Sequence, residues 1–228
     1  MPSRDHLIVN TDIIISILIY DLGVSTLIKH TAKYFFMNSF FEIPLFPLSA
    51  HLLPGGRMSL RIFEPRYVRM VKEACKAGTG FGICMVNSQA DKDKNEHIYP
   101  VGTFVKVIDF DLLDNGFLGV TVEGYKCFSI ESIATESDGL RTGNCQWLDE
   151  WTAQSEVNSI APIDERLMEI FEKYPELQSL YQNPKFNDPI WVIYRWLELI
   201  PVDAEQKQKF LQQKDCLDAL KFLTELVE

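Results

Sequence analysis

Apolar and polar positions along this chain change period part-way. Up to about residue 151 they alternate in short runs, and from Ile160 they recur at three- and four-residue spacing. Ile43, Leu45 and Leu48 form the first run, interrupted by Pro44 and Pro47. Two missing backbone donors suit an edge strand and not the middle of a sheet. Pro54-Gly55-Gly56 then predicts a turn, because Pro fixes φ and Gly supplies positive φ. Leu60 and Ile62 alternate with Arg61 and Phe63 as a second strand. Pro65 fits the first position of a helix, and Tyr67, Met70, Val71 and Ala74 give it one apolar face. Gly78 is placed to end that helix.

Residues 80–86 read as a buried strand, and the polar stretch Ser88–His97 as an exposed loop. From Gly102 to Leu113, Phe104, Lys106, Ile108 and Phe110 oppose Val105, Val107 and Asp109. Asp114-Asn115-Gly116 predicts a hairpin turn, since Asn-Gly tolerates type I′ geometry. Residues 117–130 form the returning strand, and Gly124 within it signals a bulge or bend of the kind that closes barrel-like sheets. Arg141–Trp151 is a further strand.

In the second half, Ile163, Leu167, Ile170 and Phe171 share a helical face that Pro175 ends or kinks. Pro189 opens another helix, with Ile190, Ile193, Tyr194 and Leu197 on its apolar stripe, and Pro201 stops it. Asp203 and Asp215 are placed to cap two more. Strands followed by helices give the α+β class.

Charge changes the picture in the last third. The net charge is −10, and residues 149–228 carry sixteen acids against eight bases. Such a surface disfavours general nucleic-acid or anionic-membrane binding. The five cysteines and four histidines are scattered without a CxxC pair, so no metal site is expected and the thiols read as free, in a cytoplasmic protein. Ile13–Ile28 is an apolar run of about 16 residues that includes Asp21, short of the ~20 needed to span a bilayer. Residues 1–39 are therefore expected to lie outside the domain, with a membrane-associated helix as the alternative. Removing residues 1–36 is expected to leave the domain folded.

Three stretches carry a family resemblance: Pro44-Leu45-Phe46-Pro47-Leu48, Leu53-Pro54-Gly55-Gly56, and the run Leu60-Arg61-Ile62-Phe63-Glu64-Pro65-Arg66-Tyr67. It continues at Val101-Gly102-Thr103, Asn115-Gly116 and Val122-Glu123-Gly124-Tyr125, and returns at Tyr194–Pro201 and Gln206-Lys207-Gln208. Together these resemble the stand-alone bacterial form of the Lon N-terminal, substrate-binding domain family, over about residues 41–227. The resemblance implies a PUA-like pseudo-β-barrel with one short helix over 40–154, then a C-terminal helical bundle over 155–228. It also implies binding of unfolded or extended polypeptide, in an adaptor-like or weak chaperone-like role. Cutting is not implied: no GxxxxGK[ST], HExxH or GxSxG motif occurs, so neither ATPase nor peptidase activity is expected, and no cofactor.

Two surfaces are candidates for binding. An extended client can add a strand at a sheet edge near Pro44, Pro47 and Pro54, with Phe46, Leu52 and Leu53 as apolar contacts. The alternative function is RNA binding on the PUA-like sheet. It would use the basic cluster of residues 57–76, with Arg57, Arg61, Arg69 and Lys72 as contacts beside Arg66 and Lys76. The same cluster also reads as the charged outer face of an ordinary strand and helix.

Overall fold

Strand β1 (Phe41–Leu48) is the first element of the computed structural model, which describes residues 40–92, 94–113, 117–152 and 160–227. The N-terminal apolar run and the Asp114-Asn115-Gly116 turn lie outside the described residues. From Phe40 onward the chain forms one compact unit. After β1 come β2 (Arg57–Ile62), helix α1 (Pro65–Ala77), β3 (Phe81–Val86), β4 (Ile98–Leu112), β5 (Leu118–Thr135) and β6 (Arg141–Trp147). Five helices follow: α2 (Ile163–Lys173), the short α3 (Pro175–Gln178), α4 (Pro189–Leu199), α5 (Ala204–Leu211) and α6 (Leu217–Val227). The class is α+β, with one sheet and six helices among the described residues.

The strand order is β2-β5-β4-β3-β1-β6, and β5 pairs with β6 as well. That extra pairing closes five strands into a ring and leaves β2 attached outside it, on β5. Strand β1 is therefore not an edge. It pairs parallel with β3 over Leu45–Leu48 and antiparallel with β6 over Phe41–Leu45. The prolines are tolerated because β1 changes neighbour at Leu45. Pro44 has its ladder partner only on β6 (Thr142) and Pro47 only on β3 (Cys84). Each thus lies where one side of the strand has no ladder to break.

The local signals around α1 hold. Pro65 occupies its first turn, and Gly78 caps it in the left-handed region at φ 64°. The buried face is Tyr67, Met70, Val71 and Ala74, packed with Phe46, Phe81, Val105, Val120 and Val122 from the sheet. Asp215 bonds the Leu217 backbone N–H at 3.0 Å, whereas Asp203 stands at the start of α5 without a side-chain cap bond. A further cap, with no signal drawn from the sequence, is Asp188, which accepts from Ile190 and Trp191 at the start of α4.

Gly124 is a bulge position. Phe104 pairs with Lys126 and Val105 with Gly124, so Tyr125 is the extra residue. The Pro54-Gly55-Gly56 turn docks there: the Gly55 N–H donates to the Gly124 carbonyl (2.8 Å), and the Gly124 N–H donates to the Gly56 carbonyl (2.9 Å). A Cβ on residue 124 would collide with the Leu53 carbonyl. Gly124→Ala is accordingly expected to cost about 1–3 kcal/mol in urea unfolding. An unchanged midpoint would mean that the turn can back away.

All five cysteines are free, and burial pushes the Cys127 and Cys145 thiols up to about 12. Helix α4 is not amphipathic: Trp191 through Leu197 are all buried, Arg195 included. It packs against α2 and α6 and, through Leu53, Val101 and Cys127, against the sheet.

Candidate functional site: an apolar shelf at the end of the sheet

The far ends of β2, β4 and β5 meet where the sheet runs beyond the cover of α1. In register, Ile62 pairs with Leu118, Leu118 with Leu112, and Val120 with Phe110. A second bulge decides which way these side chains point. Val107 pairs with Val122 and Asp109 with Thr121, so Ile108 is extra. One inserted residue flips the alternation, because side chains along a strand have period two. Phe110 and Leu112 consequently share a face with the core residues Val120 and Val122. Strict alternation from Phe104 would have put Phe110 on the opposite one.

That face is covered by α1 further along, but not here. Phe110 is 72% exposed and Leu112 74%; Phe63, just past the end of β2, is 63% exposed. The Phe63 ring lies 5.9 Å from that of Phe117. Beside Phe63 a shallow depression over α1 is lined by Pro65, Val68 and Lys72. Isolated exposed apolar residues are ordinary, but large aromatic and aliphatic side chains gathered at one end of a sheet mark an interaction surface.

The same end has an open backbone edge. Strand β3 pairs with β4 only as far as Val105, so Lys106–Leu112 has β5 on one side and no strand on the other among the described residues. Two edge donors are already engaged: Phe110 N–H donates to Asp109 Oδ1 (2.9 Å) and Leu112 N–H to Asp111 Oδ1 (2.8 Å). Carboxylates along an edge discourage pairing with another strand. The shelf is thus built for side-chain contact more than for strand addition.

The residues singled out from sequence fall elsewhere. Phe46, Leu52 and Leu53 are buried at 8%, 2% and 2% exposure, Phe46 and Leu52 between sheet and α1 and Leu53 against the helices. The basic cluster is largely paired. Arg57 binds Glu123 (2.9 Å) and the Leu180 carbonyl, and Arg66 binds Glu64 and the Gly139 carbonyl. Arg69 meets Glu73, Glu136 and Asp138. Arg61, Lys72 and Lys76 are exposed and make no ion pair among the described residues. Among the described residues no group of three His, Cys, Asp or Glu is placed to hold a metal ion, and no helix is long and apolar enough to cross a membrane.

Two buried polar clusters tie Leu53 and the start of β4 to the helices. Arg195, 1% exposed, donates through Nε and Nη2 to Glu198 (2.7 and 2.8 Å) and through Nη2 to the Leu53 and Pro54 carbonyls (both 3.2 Å). Glu198 accepts in turn from the Leu53 N–H (2.6 Å). Burial lifts the Glu198 carboxyl above the ordinary range, and Arg195 opposes that lift. In the second cluster the Gln208 amide takes the place of a strand. Its Oε1 accepts from Val101 N–H (2.8 Å), and its Nε2 donates to the Val101 carbonyl (3.0 Å) and stands 3.2 Å from His51 Nε2. Burial lowers the His51 pKa to about 4, with Lys207 adding to the shift.

Comparison with known proteins agrees with this architecture. Residues 42–228 match the family model of the ATP-dependent protease La (LON) substrate-binding domain. The crystal structure of a Lon N-terminal domain protein from Xanthomonas campestris superposes with a TM-score of 0.63 at 26% identity, covering 81% of this chain and 98% of that one. The N-terminal domain of a Mycobacterium avium complex Lon protease gives a TM-score of 0.60 at 14% identity, covering 81% and 97%. Lon protease 4 of Sorangium cellulosum (strain So ce56) is 29% identical over 92 residues, 40% of this chain and 11% of that protease's length.

Proposed function

The chain belongs to the ATP-dependent protease La (LON) substrate-binding domain family, and from that premise we propose that it holds unfolded or extended polypeptide on the Phe63–Phe110–Leu112 shelf, as an adaptor-like or weak chaperone-like binder without chemistry of its own. The observation that carries this is the shelf: Phe110 and Leu112 on one face of β4, each more than 70% exposed, beside an open strand edge, with Phe63 exposed just past the end of β2. We read the closed five-stranded ring as the PUA-like barrel and the helices after it as the bundle. No ATPase or protease module lies in the 228 residues, and no step of bond cleavage is assigned to them. The carboxylate pairing of Arg57, Arg66 and Arg69 weighs against RNA as the ligand, since each guanidinium is already neutralised.

The test is binding of a reduced, carboxymethylated unfolded protein. Phe110→Ser with Leu112→Ser is expected to weaken it about tenfold or more, because truncated apolar anchors commonly cost about 1 kcal/mol or more each. Folding stability should stay within about 0.5 kcal/mol, as both side chains face water. Arg61→Gln with Lys72→Gln should leave polypeptide affinity nearly unchanged. Wild-type affinity in the Phe110/Leu112 variant would refute the shelf. A tight, steeply salt-dependent RNA complex lost on changing Arg61 and Lys72 would favour the RNA function instead.

A further inference from the structure

A second pocket, separate from the shelf, lies where the Pro54-Gly55 turn meets α4. Its volume is about 290 Å³, room for the end of one side chain and too small for most cofactors. The walls are aromatic: Trp151 stacks on Tyr194 with centroids 5.0 Å apart, and Trp191 and Tyr125 complete the lining. The three inner rings are fixed. Trp151 Nε1 donates to the Gln213 carbonyl (3.0 Å) and Trp191 Nε1 to the Gly55 carbonyl (3.3 Å), and Trp151, Trp191 and Tyr194 are each under 10% exposed.

Tyr125 is different. It is the extra residue of the Gly124 bulge, so it has no partner opposite it on β4, and it stands 47% exposed at the mouth. Its ring already attracts a cation, Lys106 Nζ lying 5.0 Å from the centroid. Two carboxylates, Glu150 and Asp188, also line the pocket, against one base, Lys185. Among the described residues Asp188 caps α4 through Oδ1, and Glu150 has one long 3.7 Å contact, to Lys126.

Aromatic faces with nearby carboxylates attract organic cations, and the planar guanidinium stacks on rings better than an ammonium does. Resting on the polypeptide-binding reading, we propose that this pocket takes an arginine side chain of the bound polypeptide. Tyr125 covers the guanidinium and Glu150 accepts a hydrogen bond from it. The domain then selects extended segments that carry arginine as well as apolar residues, in keeping with the acidic last third of the chain.

The experiment compares two labelled peptides of identical apolar sequence, one with arginine and one with citrulline, its neutral isostere. Fluorescence anisotropy is expected to show the arginine peptide binding about tenfold tighter. The advantage should vanish in Tyr125→Ala and in Glu150→Gln, two surface changes whose folding is checked by thermal melting. Equal affinities, or an advantage that survives both substitutions, would overturn the proposal. Should neither peptide bind, the polypeptide reading fails, and N-acetylarginine methylamide titrated alone then decides the pocket. Shifts of the Trp151 and Trp191 indole N–H resonances at millimolar ligand, lost in Tyr125→Ala, would support it, and unmoved resonances would refute it.

Discussion

Arg195→Ala is expected to lower the unfolding free energy by about 3–5 kcal/mol, the range for breaking a buried ion pair from one side. The substitution leaves Glu198 buried without its cation and takes a donor from the Leu53 and Pro54 carbonyls. It also empties the space beside the Trp191 ring, over which the guanidinium lies at 5.2 Å. Most of the loss comes from the orphaned carboxylate. Changing both partners, as Arg195→Met with Glu198→Gln, should therefore recover part of it, because the new amide oxygen can still accept from the Leu53 N–H without carrying charge. Urea titrations of Arg195→Met, Glu198→Gln and the double variant close the cycle. A single variant within about 1 kcal/mol of wild type would mean that water replaces the guanidinium at no cost.

Acidification should destabilise the protein by about 3 kcal/mol through His51 alone, as pH falls from 6.5 to below 4. Gln208 has both amide ends committed to Val101, so its Nε2 must donate toward His51, and only a neutral ring can accept there. Protonation sets N–H against N–H in a buried site near Lys207. The sign follows from linkage. The folded pKa of about 4 lies below the ordinary 6.5, so the unfolded chain binds the proton first. The stabilisation is complete above pH 6.5 and is lost as pH falls through 4, at about 1.4 kcal/mol for each pH unit between the two values. Burial also lowers the His97 pKa and raises that of Glu198, so the wild-type slope has further sources. His51→Gln, followed by unfolding at each pH, isolates its share: the variant loses the His51 component and keeps the others. A variant with the full wild-type slope would exclude His51.

Local chemistry made part of this fold legible. Pro65 at a helix start, Gly78 at its end and Gly124 at a bulge each act through their own backbone, so neighbours in sequence suffice to read them. Pro44 and Pro47 mislead for the complementary reason. Whether a strand is an edge depends on which strands flank it, and β1 owes its inner place to β6, about a hundred residues later. Arg195 reads as one polar position on an apolar helix, and nothing nearby in sequence discloses that its acceptors are Leu53 and Pro54.

The candidate site is harder still to read. Alternation reveals which residues share a face but not what covers that face, nor where an inserted residue reverses it. Phe46, Leu52 and Leu53 look available because they lie in the proline-flanked stretch of residues 44–54, yet α1 and the helices after the sheet close over them. Phe110 and Leu112 look like the end of an ordinary strand, and the bulge at Ile108 together with the length of α1 leaves them in water.

The backbone groups of Leu53 and Val101 have a consequence for how the protein is made. Their hydrogen bonds are completed by Arg195, Glu198 and Gln208, residues translated after every strand of the sheet. On the ribosome the sheet must wait for them, with those donors and acceptors left to water. A nascent chain stalled before residue 195 should thus be cut by protease around residues 48–57 and near Val101, although all six strands have already emerged. By the same reasoning, a stop codon ahead of Arg195 would leave the Leu53 and Val101 backbone groups unmet, a product for quality control to clear and not a smaller working domain.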